Sequence, residues 1–329
     1  MGIAKKLGQL VVTVLLVTLF SAFLLSLLPG KLDKILVPLD PATQASPEQA
    51  ALVRERQKEV RAELNLDDPF IVRYATWLGG LVTGDLGNYY NGPTSTQPVT
   101  DRVGDALPVS LLLMLYAQIL ALVIAIPVGV FTAYRNGSLF DRASNVTAFA
   151  MLAIPGFALG FVLQYYFGVK LGWFKTGGYR PPTEDLLLHV QYMVLPSVTL
   201  AVGQIAIYMR LLRSDMIQTL QQDFITMAKA KGLAPRRILF RHALRPSSLT
   251  LLTVAGLNVG TLIGGALIVE VVFNLPGMGT LLAESILRRQ IVAFQSLVAI
   301  VAIFYVIVNF AVDILYTVLD PRIRNASSS

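Results

Sequence analysis

Six long apolar runs divide the chain, at residues 10–28, 107–134, 143–168, 192–212, 249–272 and 292–319. Each is close to the ~20 residues that a helix needs to cross ~30 Å of hydrocarbon. The pattern predicts an all-α membrane protein with six transmembrane helices. The first run follows Lys5 and Lys6 and outlasts the short apolar core of a signal peptide, so residues 1–28 read as a retained first helix. Residues 29–106 are one long polar insertion, and residues 107–320 form a five-helix core with a polar loop at 213–246. The remaining residues, 321–329, are a polar tail.

Within the insertion, Ser46, Pro47 and Gln49 have the form of a capped helix start, with Pro at the first helical position. That helix runs to about residue 64 with charges of both signs. Beyond it Phe70, Tyr74, Trp77, Leu78 and Leu81 recur at helical spacing. Such an aromatic stripe suits either a helix in the membrane interface or one packed on its own domain. In the core, Pro127, Pro155 and Pro196 each fall inside an apolar run and predict kinked helices, and Asn136-Gly137 reads as a turn.

The polar island at 223–246 carries its own helix punctuation. Asp223 suits an N-cap, residues 224–231 lack Gly and Pro, Gly232 suits the left-handed position after a helix, and Pro235 starts a second helix. Composition supports membrane residence, since the 329 residues are 54% hydrophobic and 14% charged with a mean hydropathy of +0.63. The net charge of +7 would suit a nucleic-acid binder, but the basic residues fall where membrane topology puts them, and no nucleic acid is expected. Lys5, Lys6, Arg135, Arg142, the cluster at 210–245, Arg322 and Arg324 share one side. The opposite short loops hold Lys170, Lys175, Arg180, Arg288 and Arg289. Both termini and the 213–246 loop are therefore expected in the cytoplasm, and the insertion outside.

The absence of cysteine and the presence of only His189 and His242 argue against disulfides, thiolate sites and His-built metal centres. There is no phosphate-cradling G-x-x-x-x-G-K-[ST] loop and no hydrolase or dinucleotide motif, so no catalytic residue is assigned, and if such a membrane chain serves active transport its energy must come from elsewhere.

The string FITMAKAKGL followed by RRILFRHALRP resembles the EAA-type loop of ABC-importer permease subunits. Aligned on Gly232, Thr226, Met227 and Ala228 take the Glu-Ala-Ala positions and Leu244 the Leu. Thr226 replaces Glu, His242 replaces Ile, and Pro246 comes one residue late, a form similar to the peptide-type permeases. WLGGLVTGDLG, VEVVFNLPGMG and YTVLDPRIR extend that resemblance over most of the chain. It implies a cytoplasmic coupling helix in which Asp223, Phe224, Thr226, Met227, Ala228, Lys229, Ala230 and Gly232 serve docking onto an ATPase, with Phe224, Met227 and Ala228 in its groove. It also implies a second homologous permease, two ATPase subunits that bind ATP and Mg, an extracytoplasmic binding protein, membrane lipid around the bundle, and a bacterial or archaeal cytoplasmic membrane. Peptide is the leading cargo, with nickel, glutathione or sugar oligomers as alternatives of the same architecture.

Gly256, Gly260 and Gly264 recur every four residues, a strip that allows a close helix approach within this chain or with a partner. Asn258 and Glu270 lie on the same run and are pathway candidates, although Glu270, near the helix end, could reach water. A self-powered secondary transporter is the competing class, but it needs midplane coupling carboxylates and an inverted repeat, which the sequence does not display.

Overall fold

A computed structural model describes residues 3–27, 32–38, 46–91 and 95–319. The expected tail, with Asp320, Pro321, Arg322 and Arg324, lies outside them. In chain order the elements are α1 (Ile3–Ser26), α2 (Leu32–Leu36), α3 (Pro47–Glu63), α4 (Phe70–Thr83), β1 (Asn88–Tyr90), β2 (Thr96–Pro98) and α5 (Val99–Tyr134). They continue as α6 (Leu139–Ala153), α7 (Gly156–Leu163), α8 (Leu186–Leu220), α9 (Asp223–Ala230), α10 (Pro235–Phe273), α11 (Met278–Leu287) and α12 (Ile291–Leu319).

Among the described residues α5, α8, α10 and α12 are long and apolar enough to cross a membrane. The pair formed by α6 with α7 and its continuation to Lys170 makes a fifth if taken as one span, bent by 100°. In α1 the described part of the apolar run is Val11–Leu24. The helices outrun the apolar segments that announce them, because a helix can continue into water on polar residues that hydropathy does not count. Thus α8 reaches Leu220 rather than stopping at residue 212, and α10 begins at Pro235 rather than at residue 249. More than half of the expected 213–246 loop is therefore helix continuous with a span. Of the three prolines, Pro155 marks the break between α6 and α7, whereas Pro127 and Pro196 lie inside uninterrupted helices.

The chain divides into two compact units. The first comprises residues 1–109 and 276–306. Its small core joins Leu36, Val37, Val53, Val60 and Tyr90. The start of α3 is where the sequence puts it, with Pro47 first, but Ser46 makes no side-chain cap bond, so the anticipated capping box does not form. The aromatic stripe of α4 packs within its own unit: the Tyr74 hydroxyl donates to the Leu15 carbonyl at 3.2 Å, and Trp77 Nε1 donates to Ser296 Oγ at 2.9 Å. Ile71, Val72 and Val82 on the same helix are exposed. The two-stranded hairpin pairs Tyr89 with Gln97 and has no counterpart in the hydropathy pattern. Gln290 secures it, accepting from Tyr90 N at 3.0 Å and donating to Tyr90 O at 2.7 Å.

The second unit comprises residues 110–275 and 307–329. Ala117, Ala121 and Ala125 are fully buried along one line of α5, and a Cβ on Gly129 would stand 3.1 Å from the Met209 carbonyl. Small side chains let helices approach closely where hydrophobicity cannot drive association. The predicted turn forms at Gly137, with φ +80, and Ser138 caps α6 by accepting from Asp141 N. Gly160 on α7 is close-packed too, since a Cβ there would lie 3.3 Å from side-chain atoms of Thr199, Val272 and Phe273.

Candidate functional site: the α9 surface

The eight residues of α9 alternate between holding and presenting. Ile225 is fully buried and Ala228 is 6% exposed, three residues apart on one face, in a core shared with Met216, Ile238, Leu239 and Ala243. Phe224 and Met227, also three apart, are 47% and 59% exposed. Both are large apolar side chains left bare on a short polar segment. Of the three side chains expected to meet a partner, two are bare. Ala228 is not: it faces this chain's own core and helps fix the helix in place.

The ends of α9 are set by backbone geometry. Its first helical residue is Asp223, so Gln222, with φ −74 and ψ 152, occupies the capping position expected for Asp223, and makes no side-chain cap bond. Asp223 instead lies in the first turn, where a carboxylate complements the helix dipole. At the other end Gly232 adopts φ +73. Gly232 N donates to Lys229 O at 2.9 Å and Leu233 N to Ala228 O at 3.3 Å, the paired bonds of a Schellman cap. Leu233 packs beside Ala228 in the core, the apolar contact that accompanies that cap. Pro235 then opens α10 at its first helical position, and a π-helical turn at Ile238–Ala243 precedes Pro246. Thr226, Lys229 and Ala230 are exposed around the remaining circumference.

The pathway candidates separate. Gly256 packs inside the unit, since a Cβ there would meet Val312 at 2.9 Å. Gly260 is buried, whereas Gly264 is exposed with open space beside it. The glycine strip therefore changes neighbours along its length. Asn258 is half-buried, and Glu270 is fully buried rather than reaching water.

Three polar arrangements within the second unit escaped the sequence. The Tyr208 hydroxyl donates to Gln118 Oε1 at 3.1 Å, and Gln118 Nε2 reaches the Ala255 carbonyl at 3.4 Å, tying α5, α8 and α10 together. His189, fully buried, lies with Nδ1 2.7 Å from the Arg180 carbonyl and Nε2 3.1 Å from the Tyr116 hydroxyl. Because that carbonyl can only accept, Nδ1 carries a proton. Arg213 pairs with Asp141 across the α5–α6 turn. All three join residues far apart in sequence, so no local motif announces them. Among the described residues, no cluster of three His, Cys, Asp or Glu side chains could hold a metal ion.

Comparison with known proteins places this geometry in context. A family model described as binding-protein-dependent transport system inner membrane component matches residues 125–325. The oligopeptide transport system permease protein AppB of Bacillus subtilis is 36% identical over 311 residues, 94% of each chain. The di/tripeptide transport system permease protein DppB of Pseudomonas aeruginosa is 33% identical over 346 aligned positions, covering 98% of each. Among solved structures, an inward-facing MetNI methionine ABC transporter chain aligns with a TM-score of 0.53 at 17% identity, over 66% of this chain and 96% of that one. That last likeness is one of fold.

Proposed function

This chain belongs to the binding-protein-dependent transport system inner membrane component family, the non-catalytic membrane permeases of ABC importers, and from that premise we propose that it lines a peptide pathway and takes its motion from ATPase subunits seated on α9. The observation that carries the coupling role is the division of α9 into a buried pair, Ile225 and Ala228, and a bare pair, Phe224 and Met227. The bare pair gives a partner's groove two anchors one turn apart. The buried pair makes any displacement of α9 a displacement of α8 and α10. Peptide as cargo is supported by relatives named for oligopeptide and di/tripeptide transport that align with nearly the whole chain.

In this reading a second homologous permease completes the pathway, two ATPases beneath it bind ATP and Mg, and a binding protein delivers peptide to the opposite face. In this reading α1 brings the spans to six, and both termini and α9 lie in the cytoplasm, the side that the basic short loops favour. The permease contributes no bond-making chemistry; it converts closure of the ATPase pair into alternating access. A near-complete switch between two states requires ATP to favour one of them by about 5.5 kcal/mol, and α9 must transmit that preference without fraying. The Schellman cap at Gly232 serves that end.

The test is reconstitution of the chain with its co-expressed permease, ATPase and binding-protein partners in proteoliposomes. Uptake of labelled di- and oligopeptides that requires ATP and the binding protein is expected. ATP-independent flux through the purified chain alone would overturn the reading in favour of a secondary transporter. ATP-driven uptake of nickel or an oligosaccharide, but not peptide, would overturn the cargo while leaving the coupling intact.

A further inference from the structure

The first helical turns of α10 carry a concentration of positive charge that the coupling role does not use. Arg236, Arg237, Arg241 and Arg245 are all exposed and converge with Phe240 around one shallow concavity. Among the described residues none of the four forms an ion pair. Some arginines of the same unit are matched: Arg213 pairs with Asp141, and the Arg210 guanidinium stacks 4.1 Å from the Phe149 ring centre. Topology alone asks for basic residues on the cytoplasmic side, not for four guanidiniums gathered about a single hollow. Like charges this close repel unless an anion lies among them.

Position along the helix indicates which anion. At about 1.5 Å per residue, Arg245 lies about 6 Å and Arg241 about 12 Å below residue 249, where the apolar run begins. The headgroup layer extends roughly 5–8 Å beyond the hydrocarbon on each side, so Arg245 stands within it and Arg241 reaches it with its side chain. Phe240, 44% exposed among these cations, gives the hollow an apolar wall. A guanidinium fork binds two oxygens of one phosphate, and basic hollows at the cytoplasmic ends of spanning helices suit anionic lipid heads.

We propose that Arg241 and Arg245, on the membrane side of this hollow, form a binding site for the phosphodiester headgroup of an anionic phospholipid, in the leaflet on the α9 side. The site rests on the importer reading only for naming that leaflet cytoplasmic. Bound lipid neutralises the start of α10 and steadies the helix that α9 leads into.

The test uses the purified chain and its complex with co-expressed ATPase, equilibrated with phosphatidylcholine vesicles with and without phosphatidylglycerol, and native mass spectrometry of the lipid retained. The wild-type protein is expected to enrich phosphatidylglycerol over the bulk. Arg241→Gln combined with Arg245→Gln should reduce that enrichment on the order of tenfold, with ATPase still attached. Arg241→Lys with Arg245→Lys, which keeps the charge that topology needs, should lower it about threefold because lysine cannot bind bidentately. Enrichment equal to wild type in the glutamine variant overturns the site, as does equal enrichment in the lysine variant if the glutamine variant fails to insert. Loss of ATPase with lipid retention unchanged reassigns the surface to the ATPase. Displacement of phosphatidylglycerol by added inorganic phosphate would assign the hollow to a soluble anion instead. Lipid retention is read without transport, so this proposal stands or falls separately from the importer reading.

Discussion

Arg213 grips Asp141 with two nitrogens of its guanidinium, Nε at 2.5 Å from one carboxylate oxygen and Nη2 at 2.7 Å from the other. Asp141 also accepts from Gly137 N and Asn145, so α8 is tied to the turn between α5 and α6. The carboxylate is almost fully buried. Breaking such a pair by removing one partner costs about 3–5 kcal/mol, because the other charge is left in a poor solvent. Arg213→Ala should therefore lower the detergent unfolding midpoint sharply, and Asp141→Leu with Arg213→Met should recover much of the loss. A midpoint within error of wild type for the single variant would show the pair to be dispensable.

The two faces of α9 predict two kinds of loss. Ile225→Ala removes a fully buried side chain and should destabilise the isolated chain by about 2–5 kcal/mol. Phe224→Ala with Met227→Ala should leave the melting curve of the isolated chain unchanged while reducing recovery of ATPase on the affinity-tagged chain about tenfold or more, as removal of interface anchors does. Equal ATPase recovery from that double variant counts against the coupling surface.

Gly232 tests the cap. A residue with a Cβ pays roughly 1–2 kcal/mol in the left-handed conformation, and nothing lies within 4 Å of the position, so the effect is conformational rather than steric. Gly232→Asp should fray the end of α9 and abolish ATPase docking without preventing membrane insertion. Gly232→Asn, which tolerates this conformation better, should retain more docking than Gly232→Asp. The reverse order would refute the conformational account.

The glycine strip of α10 should respond unevenly. Gly256→Ala forces a contact with Val312 and should cost about 1–3 kcal/mol by overpacking, with Val312→Ala restoring stability. Gly264→Ala faces open space and should leave the isolated chain unaffected. Loss of the partner permease from Gly264→Ala complexes would assign that end of the strip to the subunit boundary.

What could be read from the residues alone was largely local. Gly232, Pro235 and Gly137 act through their own backbone, so their turns and helix ends were visible without the fold. Hydropathy located α5, α8, α10 and α12 but shortened α8 and α10, because Arg213, Met216 and the residues before Leu249 continue a helix for reasons of packing rather than apolarity. The inward face of Ala228 was hidden, since the family pattern marks its position without saying which side of the helix it takes. Tyr208 with Gln118, His189 with Tyr116 and Gln290 with Tyr90 depend on where distant segments meet, and spacing carries no trace of them.

The unbroken course of α10 from the α9 cap to Phe273 carries a mechanical implication. Thirty-nine residues of helix form a strut nearly 60 Å long at about 1.5 Å per residue, so a tilt of only about 5° at the foot beside α9 would sweep the far tip sideways by about 5 Å. The place where such a strut can yield is its π-helical turn beside Pro246, where the regular ladder is already interrupted. Stiffening that joint would alter how far each stroke carries, without touching either the docking face or the cargo.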